Sequence, residues 1–75
     1  MDKVNSKKLW KEIQISGDLL KNKLPPHPNH PKGRNPYAHI ALEIKNKFGM
    51  TYKDIPNRKY EQVIEFIKYL IQNPK

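Results

Sequence analysis

Seventy-five residues allow one domain with a small core, and the absence of cysteine excludes disulfides or thiolate metal sites as substitutes for a larger one. Fifteen Lys and Arg against seven Asp and Glu give a formal net charge of +8, which makes nucleic acid, with DNA favoured, the first class of partner to expect. No run of about 18 apolar residues offers a membrane span, and the charged stretch MDKVNSKKLWKEIQ stands where a secretory signal would be apolar, so the expectation is an unprocessed intracellular chain without a membrane partner.

Leu9, Trp10 and Ile13 fall at helical spacing and predict a short helix over about residues 6–16, with Ser6 as its cap and Gly17 as the left-handed residue that ends it. Asp18 then starts a further brief turn through Leu19, Leu20 and Leu24 that covers part of the core, until Pro25 stops it. From Leu24 to Pro36 the string LPPHPNHPKGRNP carries five prolines, which excludes helix and central strand. Held near polyproline II, this segment reads as a stiff basic surface loop, long enough inside a small domain that a function is expected of it.

Asn35-Pro36 has the chemistry of an N-cap followed by proline at the first helical position. The stripe Tyr37, Ile40, Ala41, Ile44 and Phe48 predicts a helix over about 36–48 that Gly49 terminates. Thr51 and Asp54 have the spacing of a variant capping box, predicting a single turn over 51–55 before Pro56. Asn57 is expected to cap the last helix, about 57–72, whose stripe is Tyr60, Val63, Ile64, Ile67, Leu70 and Ile71 with Phe66 and Tyr69 on its flank. Two such helices cannot bury both stripes against each other, so the N-terminal helix with Trp10, or a second copy, is needed to complete the core. The expected fold is a single all-α domain over 1–75, with three to four helices and the Pro-rich loop between the N-terminal helix and the two C-terminal ones.

The inventory for catalysis is thin. Ser6 and Ser16 stand at predicted helix ends without a His or Asp at an interpretable spacing, and Glu61 and Glu65 fall on the solvated side of the last helix, so no enzyme and no cofactor are expected. His27 and His30, with His39 as a third candidate, form the one metal-like grouping. They flank prolines and have no Cys or local carboxylate to complete a set, which sets metal binding aside and with it an HNH-type nuclease.

Lys32-Gly33-Arg34-Asn35-Pro36 is close to the Gly-Arg-Pro arms that enter the minor groove, but Asn35 interrupts the core and phosphate contact by Lys32 and Arg34 is the plainer role. A helix-turn-helix is suggested by Phe48-Gly49-Met50 and Ile55. It is set aside because Lys45 occupies the position where a small residue lets the helices approach, and Pro56 falls inside the recognition helix. The nucleic-acid surface expected is therefore Lys32, Arg34, Lys45, Lys47, Lys53, Arg58 and Lys59. As an alternative, Trp10, Tyr37, Tyr52, Phe66 and Tyr69 supply aromatic anchors for a protein partner, a second copy of the chain included.

Phe48-Gly49-Met50-Thr51-Tyr52-Lys53-Asp54-Ile55-Pro56, followed by Tyr60, Val63-Ile64 and Phe66-Ile67, resembles the small C-terminal domain of phage antirepressor and related phage regulatory proteins, over about residues 37–71. The resemblance implies a phage or prophage origin, a helical module without catalytic residues, and a regulatory or host-takeover role in the cytoplasm of a bacterial host. In such proteins this domain commonly follows a separate DNA-binding domain, and none stands in these 75 residues. The expectation is a phage-type regulatory protein that binds nucleic acid through its loop and helix flanks, with an inhibitor docking on a host or phage regulatory protein as the alternative.

Overall fold

The structure, a computed structural model, describes residues 1–21, 23 and 35–74. Three helices, α1 (Lys3–Leu20), α2 (Pro36–Phe48) and α3 (Tyr60–Gln72), form an all-α domain, with two single 3-10 turns, Tyr52–Asp54 and Asn57–Lys59, between α2 and α3. The Pro-rich segment 24–34, and with it the expectations placed on His27, His30, Lys32 and Arg34, lies outside the described residues.

Helix α1 is longer than its apolar spacing predicts, at both ends. Asp2, not Ser6, is its cap: the Asp2 carboxylate accepts from Asn5 N–H at 2.7 Å, and the Asp2 carbonyl accepts from Ser6 N–H at 2.8 Å. Gly17 does not end the helix. It is buried inside the last turn of the helix, where an added Cβ would stand 2.3 Å from Cδ1 and 2.6 Å from Cε1 of Tyr37. Its missing side chain lets the first turn of α2 close on α1, which outweighs the roughly 1 kcal/mol that glycine costs inside a helix. The turn expected from Asp18 is the continuation of the same helix, with Leu20 in the core and Leu19 facing solvent. The Tyr37 hydroxyl donates to the Asp18 carboxylate and fixes the ring across Gly17.

The core is Leu9, Ile13 and Leu20 of α1, Ile40 and Ile44 of α2, and Val63, Ile67 and Leu70 of α3, closed by Ile55 from the linking segment. Helix α1 packs against both other helices and carries most of the interhelical contact, so the third helix that the sequence demands is indeed the N-terminal one. It is not Trp10 that enters. At about 100° per residue, a helix that turns Leu9 and Ile13 inward puts residue 10 on its flank, and Trp10 is 45% exposed.

Helix α2 follows its sequence closely. The Asn35 side chain accepts from Tyr37 N–H at 3.0 Å and Ala38 N–H at 3.2 Å, and Gly49, at φ +77°, donates its N–H to the Lys45 carbonyl at 2.8 Å. Thr51 and Asp54 do form a local pair, but between side chains: the Thr51 hydroxyl donates to the Asp54 carboxylate at 3.0 Å. Asn57 departs from expectation. It does not cap α3, which begins at Tyr60 after a 3-10 turn; its amide is spent on the start of α1. Asp2 N–H donates to Asn57 Oδ1 at 2.8 Å, and Asn57 Nδ2 donates back to the Asp2 carboxylate at 3.0 Å. The Met1 ammonium donates to the Lys53 carbonyl at 2.9 Å and also to the Ile55 carbonyl, so both 3-10 turns are fastened to the beginning of α1.

Candidate nucleic-acid interface

That fastening decides which charges become neighbours. Lys53, Arg58 and Lys59, all expected to contact nucleic acid, are carried by the two 3-10 turns and so lie at the N-terminal end of α1. There they join Lys3 and Lys7, exposed residues that the motif reading passed over. Lys3, Lys7, Trp10 and Gln14 recur at i, i+4, i+7 and i+11, one stripe along the flank of α1, with Lys11 beside it. Asp2, bonded to Asn5 and Asn57, and Asp54, bonded to Thr51, keep their negative charges but are outnumbered by Lys3, Lys7, Lys53, Arg58 and Lys59. Glu61 follows in the first turn of α3. The balance at this end is cationic.

A shallow groove opens where α1 meets the first 3-10 turn, lined by Ser6, Lys7, Trp10, Tyr52 and Lys53. Its floor is apolar and aromatic, its rim carries two ammonium groups, and none of these five residues is acidic. Tyr52 is half-buried against the core, and burial raises its phenol above the ordinary value near 10, so it is a neutral ring at physiological pH. Trp10 and Tyr52 belong, from sequence alone, to a rival protein-binding set, and Lys53 to the nucleic-acid set. In the fold they share one groove. The signal that could have found it is local: a tryptophan one step off the apolar stripe, three residues after a lysine.

The other expected residues are distributed elsewhere. Lys45 and Lys47 are exposed in the last turn of α2. Lys47 lines a second shallow groove between α2 and α3 with Glu43, Asn46, Phe66, Tyr69 and Leu70, where an acidic and a basic side chain offset each other. The aromatic rings there are packed on one another: Phe66 meets Phe48 edge to face at 6.0 Å and stacks on Tyr69 at 6.1 Å. Tyr37 is occupied by its contacts with Gly17 and Asp18; the hydrogen bond to Asp18, then burial, raises its phenol above the ordinary range. It is a structural residue here.

Glu61 and Glu65 are exposed as their register predicts, Glu65 in a loose surface pair with Lys68 at 3.9 Å. Among the described residues no group of three or more His, Cys, Asp or Glu is placed to hold a metal ion, and no helix is long and apolar enough to cross a membrane. No family model, no curated protein and no solved structure matches the chain.

Proposed function

We propose that this chain is a nucleic-acid-binding protein of a phage-type regulatory kind, contacting its ligand through the cationic end of the domain. The observation that carries the reading is the pairing of Lys7 with Lys53 around Trp10 and Tyr52, which sets ammonium groups beside exposed ring surface as a phosphate backbone and its bases require. Lys3, Arg58 and Lys59 extend the same surface, with Lys32 and Arg34 as further phosphate contacts in this reading. Lys45 and Lys47 take a lesser part, since Glu43 shares the groove of Lys47.

Affinity on such a surface is chiefly electrostatic. Closing about five phosphate contacts makes log K fall by about 4–5 per tenfold rise in salt on duplex DNA and by about 3.5 on a single strand. Titration of both forms at several salt concentrations tests it, and a slope near zero on each removes the reading.

A second reading, docking on a host or phage regulatory protein or on another copy of the chain, is favoured by one observation. The outer face of α1 leaves Val4, Ile15 and Leu19 at 61%, 46% and 49% exposure. Lys8 and Lys11 stand between Val4 and Ile15 along that face and divide the apolar surface. Sedimentation over a wide concentration range separates the self-association form of this reading from a monomer.

A further inference from the structure

We infer that the groove between Trp10 and Tyr52 seats an unpaired nucleobase, so that the protein prefers single-stranded nucleic acid to duplex. This rests on the nucleic-acid reading above and names the ligand of that same surface. In a duplex the bases are stacked on each other and present only their edges, so a duplex would reach the rim lysines through its phosphates and leave the aromatic floor wet. A single strand can turn a base face onto the indole of Trp10 while the phosphates on either side lie against Lys7 and Lys53.

The site's chemistry matches that amphiphilic ligand on both counts. Its floor supplies ring surface, with Trp10 held on a helix flank at 45% exposure and not drawn into the core, and Tyr52 kept as a neutral phenol. Its rim supplies charge of one sign only. The indole and phenol read a π-face, which every base has, so little sequence preference is expected at this position. An acidic peptide would satisfy the lysines and not the rings, which makes it a control rather than a rival of equal standing.

Trp10 is the single tryptophan of the chain, so its fluorescence reports this groove alone. The test is titration at one low salt concentration with oligo-dT of about 12 nucleotides, within the usual single-strand site size. The comparators are an abasic strand of the same length, a hairpin duplex, and a poly-glutamate peptide. Oligo-dT is expected to quench Trp10 saturably and to bind tighter than the other three. Trp10→Ala is expected to weaken oligo-dT binding by about 5- to 150-fold while preserving its salt slope, the span that stacking of one base on a ring is worth. Trp10→Phe should restore part of the loss.

Trp10 lies outside the core, so both variants should fold, and circular dichroism verifies it. Equal binding of abasic strand and oligo-dT, equal binding of poly-glutamate, a preference for duplex, or unchanged affinity in Trp10→Ala each overturns the inference. If salt-dependent binding persists in those cases, the electrostatic reading survives without the base seat; if no nucleic acid binds, both fall together.

Discussion

Two grooves among the described residues are built from the same kinds of residue and differ in what their rings touch and in how their charges balance. Between α2 and α3, Phe66 is packed by Phe48 and Tyr69, and Glu43 offsets Lys47. Between α1 and the first 3-10 turn, Trp10 keeps open ring surface, and Lys7 and Lys53 share the rim without an acidic partner in the lining. Phe66 is covered by its neighbours, whereas Tyr69 at 46% is as exposed as Trp10 at 45%, so the contrast rests on Phe66 and on charge. Open ring surface beside lysines is what the proposed ligand would cover.

The sharpest way to break that contrast is to remove one ring from each groove. Phe66→Ala should lower stability by about 2–3 kcal/mol, somewhat under the loss for a fully buried phenylalanine, and leave oligonucleotide affinity of the folded protein within about twofold. Trp10→Ala should change stability by less than about 1 kcal/mol. Urea denaturation of the pair measures both, and a larger loss from Trp10 would invert the assignment.

The close approach of α1 and α2 is set at Gly17. Gly17→Ala improves helix propensity by about 1 kcal/mol yet forces the Tyr37 ring aside, for a net loss of about 1–2 kcal/mol. In a Tyr37→Ala background the same change should become stabilising, and a double-mutant cycle reads the reversal.

Asn57→Ala should cost about 1 kcal/mol through the lost bonds to Asp2 and should also weaken oligonucleotide binding, because it loosens the turns that carry Lys53, Arg58 and Lys59. An effect on stability with none on binding would detach the groove from its fastening. Among the charges, Lys7→Gln and Lys53→Gln should each reduce the salt slope by about 0.7 on a single strand, with a smaller reduction from Lys47→Gln.

The smallest effect is alkaline. Tyr37 and Tyr52 have folded-state values raised above the ordinary value near 10, so the folded protein holds their protons more tightly than the unfolded chain does. Their contribution to stability is complete below pH 10 and is lost as pH rises through the raised values. Tyrosinate absorbance should show two late-ionising groups, and Tyr37→Phe should remove one.

Helix α2 was legible residue by residue because its signals are local: Asn35 caps its own helix, Pro36 needs no donor, and Gly49 takes a positive φ. The stripe of α3 was legible for the same reason. Gly17 and Asn57 were misread because each has the composition of a local signal and a distant partner, Tyr37 across the helix pair in one case and Asp2 at the other end of the chain in the other. Trp10 was grouped with the core because it stands three residues before Ile13, but the buried face is centred on Leu9 and Ile13 and leaves Trp10 about 100° from Leu9, on the flank. The candidate groove was illegible as a unit. Spacing can rank Lys53 as a cation and Trp10 as an anchor, but only the packing of α1 against the first 3-10 turn makes them one surface.

The clasp between Asp2 and Asn57 therefore has a thermodynamic consequence. It joins residues 55 positions apart, so the groove beside it exists in the native state alone, while the unfolded chain displays the same lysines without the seat. A ligand that requires the groove must then act as a folding cofactor, adding about 2.7 kcal/mol when present at a hundredfold excess over its Kd. For a 75-residue domain with so small a core, occupancy by its partner would be a substantial part of what keeps it folded.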